Sequence, residues 1–157
     1  MAHNEIHATV PPDAVFDVLA DARSYGHWVV GSRTIRSADP EWPAAGSVFD
    51  HEQGGLLPLL RDQTTALQSR RPSLLRMRVQ ARPLTVAHVT LRLVPAEGGT
   101  RIEMDEVPAN LRSRMLMNPL TDVLIRVRNA ESLRRLKRLA EGTDPRPDGP
   151  LPPRGGA

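Results

Sequence analysis

The sequence contains no cysteine, which excludes disulfides, thiolate metal sites and cysteine nucleophiles. Of its 21 basic residues only Lys137 is a lysine, so the pI near 10.4 rests on arginine. The arginines are scattered through predicted strands, loops, helix and tail. The one basic run, Arg126, Arg128, Arg134, Arg135, Lys137 and Arg138, lies where the dipole of a helix C-terminus favours cations. No aromatic residue interleaves with it, as single-strand recognition requires, and no nucleic-acid partner is expected. No apolar stretch approaches the roughly 20 residues that span a bilayer. The N-terminus, Met1-Ala2-His3-Asn4-Glu5, has no basic segment followed by an apolar run, so a cytoplasmic protein is the expectation.

Motifs of standard chemistry are missing too. There is no Gly-x-Ser-x-Gly, no phosphate loop, no dinucleotide-binding glycine pattern and no His-Glu-x-x-His. The histidines are dispersed; only His3 and His7 lie four apart, and an extended segment separates them by about 13 Å, too far to share a metal. No metal or cofactor is expected. Any reaction would proceed by shaping a flexible substrate and lending it one acid or base.

What is present is dominated by one helical signal over residues 119–141. Asn118 suits an N-cap, Pro119 the first helical position, Asp122 the first turn, and Gly142 the left-handed residue that ends a helix. Such a helix runs about 35 Å at about 1.5 Å per residue. Leu120, Val123, Leu124 and Val127 recur at helical spacing and are expected to face a sheet. Beyond them Ala130, Leu133, Leu136 and Leu139 come every third position, a step that drifts by about 60°. Either the two halves pack on different partners, or the helix bends near Arg128-Asn129, or the second half is only half-buried.

Upstream, residues 5–10 alternate as a first strand that Pro11-Pro12 ends, residues 13–21 read as a helix, and residues 24–28 as a second short helical turn carrying Trp28 inward. Six further strands follow at 34–38, 47–53, 62–69, 74–82, 87–95 and 101–107, with short connections that imply antiparallel neighbours. In the two that alternate most cleanly, Leu75, Met77, Val79 and Ala81 oppose Arg76, Arg78, Gln80 and Arg82, and Ala87, Val89, Leu91 and Leu93 oppose His88, Thr90 and Arg92. One domain over 1–142 is expected, followed over 143–157 by a Pro/Gly-rich disordered tail.

A curved sheet must bury its apolar face, and the C-terminal helix alone is long enough to fill its concavity. This order of elements, an α+β helix-grip fold with a curved seven-stranded antiparallel sheet around a long helix, resembles the SRPBCC superfamily of START-related and polyketide cyclase/dehydrase-like proteins. The resemblance covers about residues 4–141. It is carried by Pro11-Pro12-Asp13-Ala14-Val15-Phe16-Asp17-Val18-Leu19-Ala20-Asp21, by Tyr25 and Trp28, by Gly46 before the Ser47 strand, by Gly98-Gly99-Thr100-Arg101 and by Glu106. It implies a cavity between helix and sheet that binds a small hydrophobic ligand, lipid or polyketide-like; an enzyme of the cyclase/aromatase kind and an interaction module with a collapsed cavity are the alternatives.

Strand parity supplies candidate ligand-binding residues. Phe49 inward carries His51 and Gln53 with it, Leu67 carries Thr65 and Gln63, and Ile102 and Met104 carry Glu106. Trp28, Met77, Val79, Leu91, Leu120, Leu124 and Val127 complete the expected apolar lining. His51 and Glu106 are the candidate acid or base; for Glu106 a structural role at the cavity rim, paired with an arginine of the 111–117 loop, is preferred. Leu56, Leu57, Leu59 and Leu60, joining two strands, and Leu111 to Met117, leading into the long helix, form apolar loops. They are read as a lid, a membrane or protein contact with Arg112 and Arg114 facing headgroups, or segments folded back on the core.

Overall fold

The expected punctuation of the chain appears in its three-dimensional arrangement, a computed structural model in which residues 1–53, 61–81 and 85–154 are described. The turn at Pro83 and the four leucines between 56 and 60 lie outside the described residues.

Strand β1 (Ala2–Ala8) leads to helix α1 (Pro12–Leu19), which has proline in its first turn and buries Val15, Phe16, Val18 and Leu19. A single 3-10 turn over Ala22–Ser24 passes into helix α2 (Tyr25–Trp28). Six strands then run as a meander: β2 (Ser32–Ala38), β3 (Val48–Gln53), β4 (Arg61–Arg70), β5 (Leu74–Ala81), β6 (Thr85–Ala96) and β7 (Gly99–Pro108). The sheet order is β1-β7-β6-β5-β4-β3-β2, antiparallel throughout, so β1 and β2 form its edges. The short turn between β6 and β7 needs its glycines: Gly98 has φ 73°, and a Cβ on Gly99 would stand 1.9 Å from the Ala8 carbonyl oxygen.

Helix α3 (Leu111–Met115) was not expected from the pattern, where the segment reads as a loop. Asn110 caps it, accepting from the Ser113 N–H at 2.8 Å, as Asn118 caps helix α4 (Pro119–Ala140) by accepting from the Thr121 N–H at 2.9 Å. Helix α4 ends at Gly142, φ 76°. It packs on β1, α1 and α2.

The face that α4 buries corrects the expectation. Leu120, Leu124 and Val127 do not meet the sheet; they are 68%, 61% and 64% exposed. The buried residues are Asn129, Ser132, Leu133, Leu136, Leu139 and Ala140. Residues 129, 132, 133 and 136 follow helical spacing, so the inward stripe is regular, but its first two members are polar and a count of apolar residues passes over them. The halves do point differently. The first half meets β1 and the N-terminus through polar groups, Asn4 Nδ2 donating to the Arg126 carbonyl and the Met1 amine facing Asp122, but its apolar side chains are uncovered among the described residues: with Leu111, Met115, Leu116 and Val123 they make seven large apolar side chains at least half exposed.

Beyond Gly142 the described residues hold no regular element, only an isolated bridge between Ala38 and Pro153. Arg154 reaches Asp50 at 3.0 Å and Leu151 packs against the core.

Candidate functional site

Between the sheet and α4 lies a cavity of about 120 Å³. Its wall on the β2–β3 side is aromatic. The Tyr25 ring lies 4.9 Å from Trp28 and 4.7 Å from Phe49, and His51 follows Phe49 on β3 at 5.5 Å. Centroid separations in this range are those of favourable ring pairs. Trp42, outside the cavity, closes the group against Tyr25 and Phe49, and its indole N–H donates to the Leu19 carbonyl at 3.1 Å. Alternation along β3 places Phe49 and His51 inside with 1% and 5% exposure.

The floor comes from β5, β6 and β7, where Met77, Val79, Val89 and Met104 contribute apolar surface. At the far side Glu106 is joined to α4: its Oε2 accepts from Asn129 Nδ2 at 2.9 Å and from the Arg128 guanidinium at 2.5 Å. The expected arginine partner exists, but it comes from α4 and not from the 111–117 segment. Ser132, one turn further, accepts from the Val30 N–H at 3.1 Å.

Seven of the expected lining residues therefore surround one cavity: Trp28, Phe49, His51 and Met77, with Val79, Met104 and Glu106. Leu91 is fully buried in the core beside it and does not line it. The three β4 candidates are misplaced by parity. Leu67 is 40% exposed, while Asp62, Thr64 and Ala66 are the buried residues of that strand. Gln63 donates to Asp50 at 3.1 Å, on the opposite side of β3 from His51, and Thr65 shares its parity. The cause is Leu67 itself: read as inward because it is apolar, it stands outward as the extra residue between the pairs Ala66–Met77 and Gln68–Arg76, and counting back from it keeps Thr65 and Gln63 on that outer face. The side chain of Gln53 lies outside the described residues. With Leu120, Leu124 and Val127 turned to solvent, α4 contributes Arg128, Asn129 and Ser132 instead. Tyr25, Thr64, Ala87 and Val89 were also missed as lining, although Ala87 and Val89 share the inward parity already read for β6.

His51 is the most perturbed histidine of the site. Burial disfavours its charged form and outweighs the nearby Asp50 carboxylate, pulling its pKa from 6.5 down to about 4. The imidazole is thus neutral near pH 7, with Nε2 3.2 Å from Thr64 Oγ1. Because the folded value lies below the unfolded one, the unfolded chain binds the extra proton first as pH falls, and stability drains away between about pH 6.5 and 4. The advantage of the wild type over His51→Gln, followed as the difference in Tm, is expected to shrink as pH is lowered through that window. A difference that stays constant across it would refute this environment for His51.

Among the described residues no group of three or more His, Asp or Glu is placed to hold a metal ion, and no helix is long and apolar enough to cross a membrane.

A family model described as polyketide cyclase / dehydrase and lipid transport matches residues 2–141. No curated protein matches the chain. Among solved structures, a Rhodobacter sphaeroides protein superposes with a TM-score of 0.70 at 18% identity, covering 90% of this chain and 92% of that one. A Chromobacterium violaceum protein gives 0.67 at 15% identity, with 88% and 95% covered. A Mesorhizobium loti protein gives 0.67 at 17% identity, with 91% and 98% covered. At these identities the likeness is one of fold.

Proposed function

This chain belongs to the polyketide cyclase / dehydrase and lipid transport family, and from that premise we propose that it binds a small hydrophobic molecule in the cavity between its sheet and α4. The observation that carries this reading is the cavity itself: an apolar chamber under the helix with a few polar side chains set into its wall, the usual construction of a small-molecule site. A well-packed core of this size has little reason to keep such a void, because each unfilled space forfeits packing energy.

The cyclase-like alternative would draw on His51 and Glu106. Glu106 is already engaged by two donors from α4, and an imidazole whose pKa lies at about 4 is a weak base near neutral pH. Both features favour holding a ligand over transforming it.

Val89 lines the chamber and is 8% exposed. Val89→Phe is expected to fill it at a cost of about 1–3 kcal/mol, which a domain of ordinary stability withstands. Native mass spectrometry of protein purified from its own host is expected to show a non-covalent adduct on the wild type that the folded Val89→Phe variant lacks. An adduct of equal occupancy on both proteins would move the site elsewhere.

A further inference from the structure

Two side chains in the cavity wall, each more than nine-tenths buried, carry a polar atom with no hydrogen-bond partner among the described residues: Trp28 Nε1 and His51 Nδ1, at 2% and 5% exposure. Ser32 Oγ, from the start of β2, is a third such atom in the same wall. Leaving a buried donor or acceptor unpaired costs about 1–3 kcal/mol, and folded proteins leave few of them. Three around one chamber are a recognition pattern that the packing of the fold does not need. Other polar groups of the lining are engaged: His51 Nε2 with Thr64, Ser132 Oγ with the Val30 N–H, and Glu106 with Arg128 and Asn129.

The three residues come from one side of the chamber. Trp28 belongs to α2, Ser32 to β2 and His51 to β3, so all three stand at the β2–β3 side, across the sheet from Glu106 on β7. Their chemistry is specific. An indole N–H only donates, a serine hydroxyl donates or accepts, and a neutral imidazole nitrogen takes whichever role its tautomer leaves. One oxygen with lone pairs and a rotatable or absent proton satisfies such a set. Among the described residues the only charged side chains in the lining, Glu106 and Arg128, neutralise each other, so a buried ligand charge would find no free counter-ion among them and would carry its full desolvation cost. A cavity of about 120 Å³ is close to the roughly 150 Å³ that accepts benzene, and Tyr25, Phe49 and Trp28 line it.

We propose that the ligand enters this chamber as a compact, uncharged ring bearing an oxygen function, a phenol or a cyclic ketone, with that oxygen seated among Trp28, Ser32 and His51. The proposal rests on the cavity reading above and specifies which end of the ligand is recognised. An aliphatic chain leaves all three atoms unpaired, and a carboxylate brings a charge that the chamber does not offset.

The test uses two probes of the same shape, p-cresol and p-xylene, with benzoate as the charged counterpart, titrated into the full chain by calorimetry near neutral pH. p-Cresol is expected to bind about tenfold more tightly than p-xylene, the equivalent of roughly one recovered hydrogen bond, and benzoate more weakly than p-cresol. Ser32→Ala, which deletes one oxygen without disturbing the aromatic wall, and Trp28→Phe are each expected to narrow the cresol preference. Equal or tighter binding of p-xylene would overturn the proposal while leaving the cavity reading intact. Tightest binding by benzoate would overturn its neutrality, a cresol preference unchanged in both variants would place the oxygen elsewhere, and no binding of any probe would defeat both readings.

Discussion

Leu136→Ala is expected to lower the unfolding free energy by about 2–5 kcal/mol, whereas Leu124→Ala, three turns earlier on the same helix, is expected to change it by less than about 0.5 kcal/mol. Leu136 is 0% exposed and Leu124 61%. Truncating the first removes buried methyl groups and leaves a void that its neighbours only partly fill, while truncating the second exposes nothing new. The size of the first loss depends on how far the surroundings collapse; α4 packs on α1 and on the edge strand β1. Urea denaturation of both variants, compared through midpoint and slope, checks the pair. Equal losses would show that the helix sits rotated about its axis relative to this arrangement.

Gly99→Ala is expected to be at least as damaging, costing more than about 3 kcal/mol or preventing the folded state from accumulating. The added Cβ would lie 1.9 Å from the Ala8 carbonyl oxygen, 2.9 Å from its carbon and 3.0 Å from the Thr9 Cα. All three are backbone atoms, so no side chain can rotate aside; the end of β1 has to leave β7. That displacement strikes where Ala8 pairs with Thr100 and where the Thr100 hydroxyl donates to the Val10 carbonyl at 2.7 Å. Gly98→Ala is the control. Its Cβ would meet nothing within 4 Å, and only its φ of 73° is unfavourable, a cost of about 1–2 kcal/mol. Thermal unfolding of the two variants separates the causes: similar Tm values would mean that backbone conformation, and not the contact with β1, makes glycine necessary at 99.

The difference between what could and could not be read from the sequence follows from the range over which each signal acts. Asn118, Pro119 and Gly142 mark helix ends through chemistry contained within one turn, and α4 begins and ends where they place it. Asn110 carries the same local signal for α3, but the helix is so short that its apolar residues show no period. The strands and the antiparallel sheet follow from alternation and short connections. Parity along a strand is only as good as its reference residue: Leu67, apolar yet turned outward at a bulge, took Thr65 and Gln63 to the wrong face with it and hid Thr64. The inward face of α4 was obscured for a different reason. Burial there selects Asn129 and Ser132 because Glu106 and the Val30 N–H need partners, and those partners arrive from β7 and from the chain after α2, too far along the sequence for any local pattern to reveal.

The aromatic wall has a spectroscopic consequence. Tyr25 is the only tyrosine and Trp28 and Trp42 the only tryptophans in the sequence, and both indoles lie within 5.7 Å of the tyrosine ring, centroid to centroid. At such separations excitation of the phenol passes to the indoles, and all three transitions couple in circular dichroism. Emission of the native chain therefore originates in one small region, with Trp28 facing the cavity and Trp42 behind it. A ring entering the chamber would perturb Trp28 directly and Trp42 through Tyr25, so occupancy can be followed by the shift and quenching of intrinsic fluorescence, with no label attached.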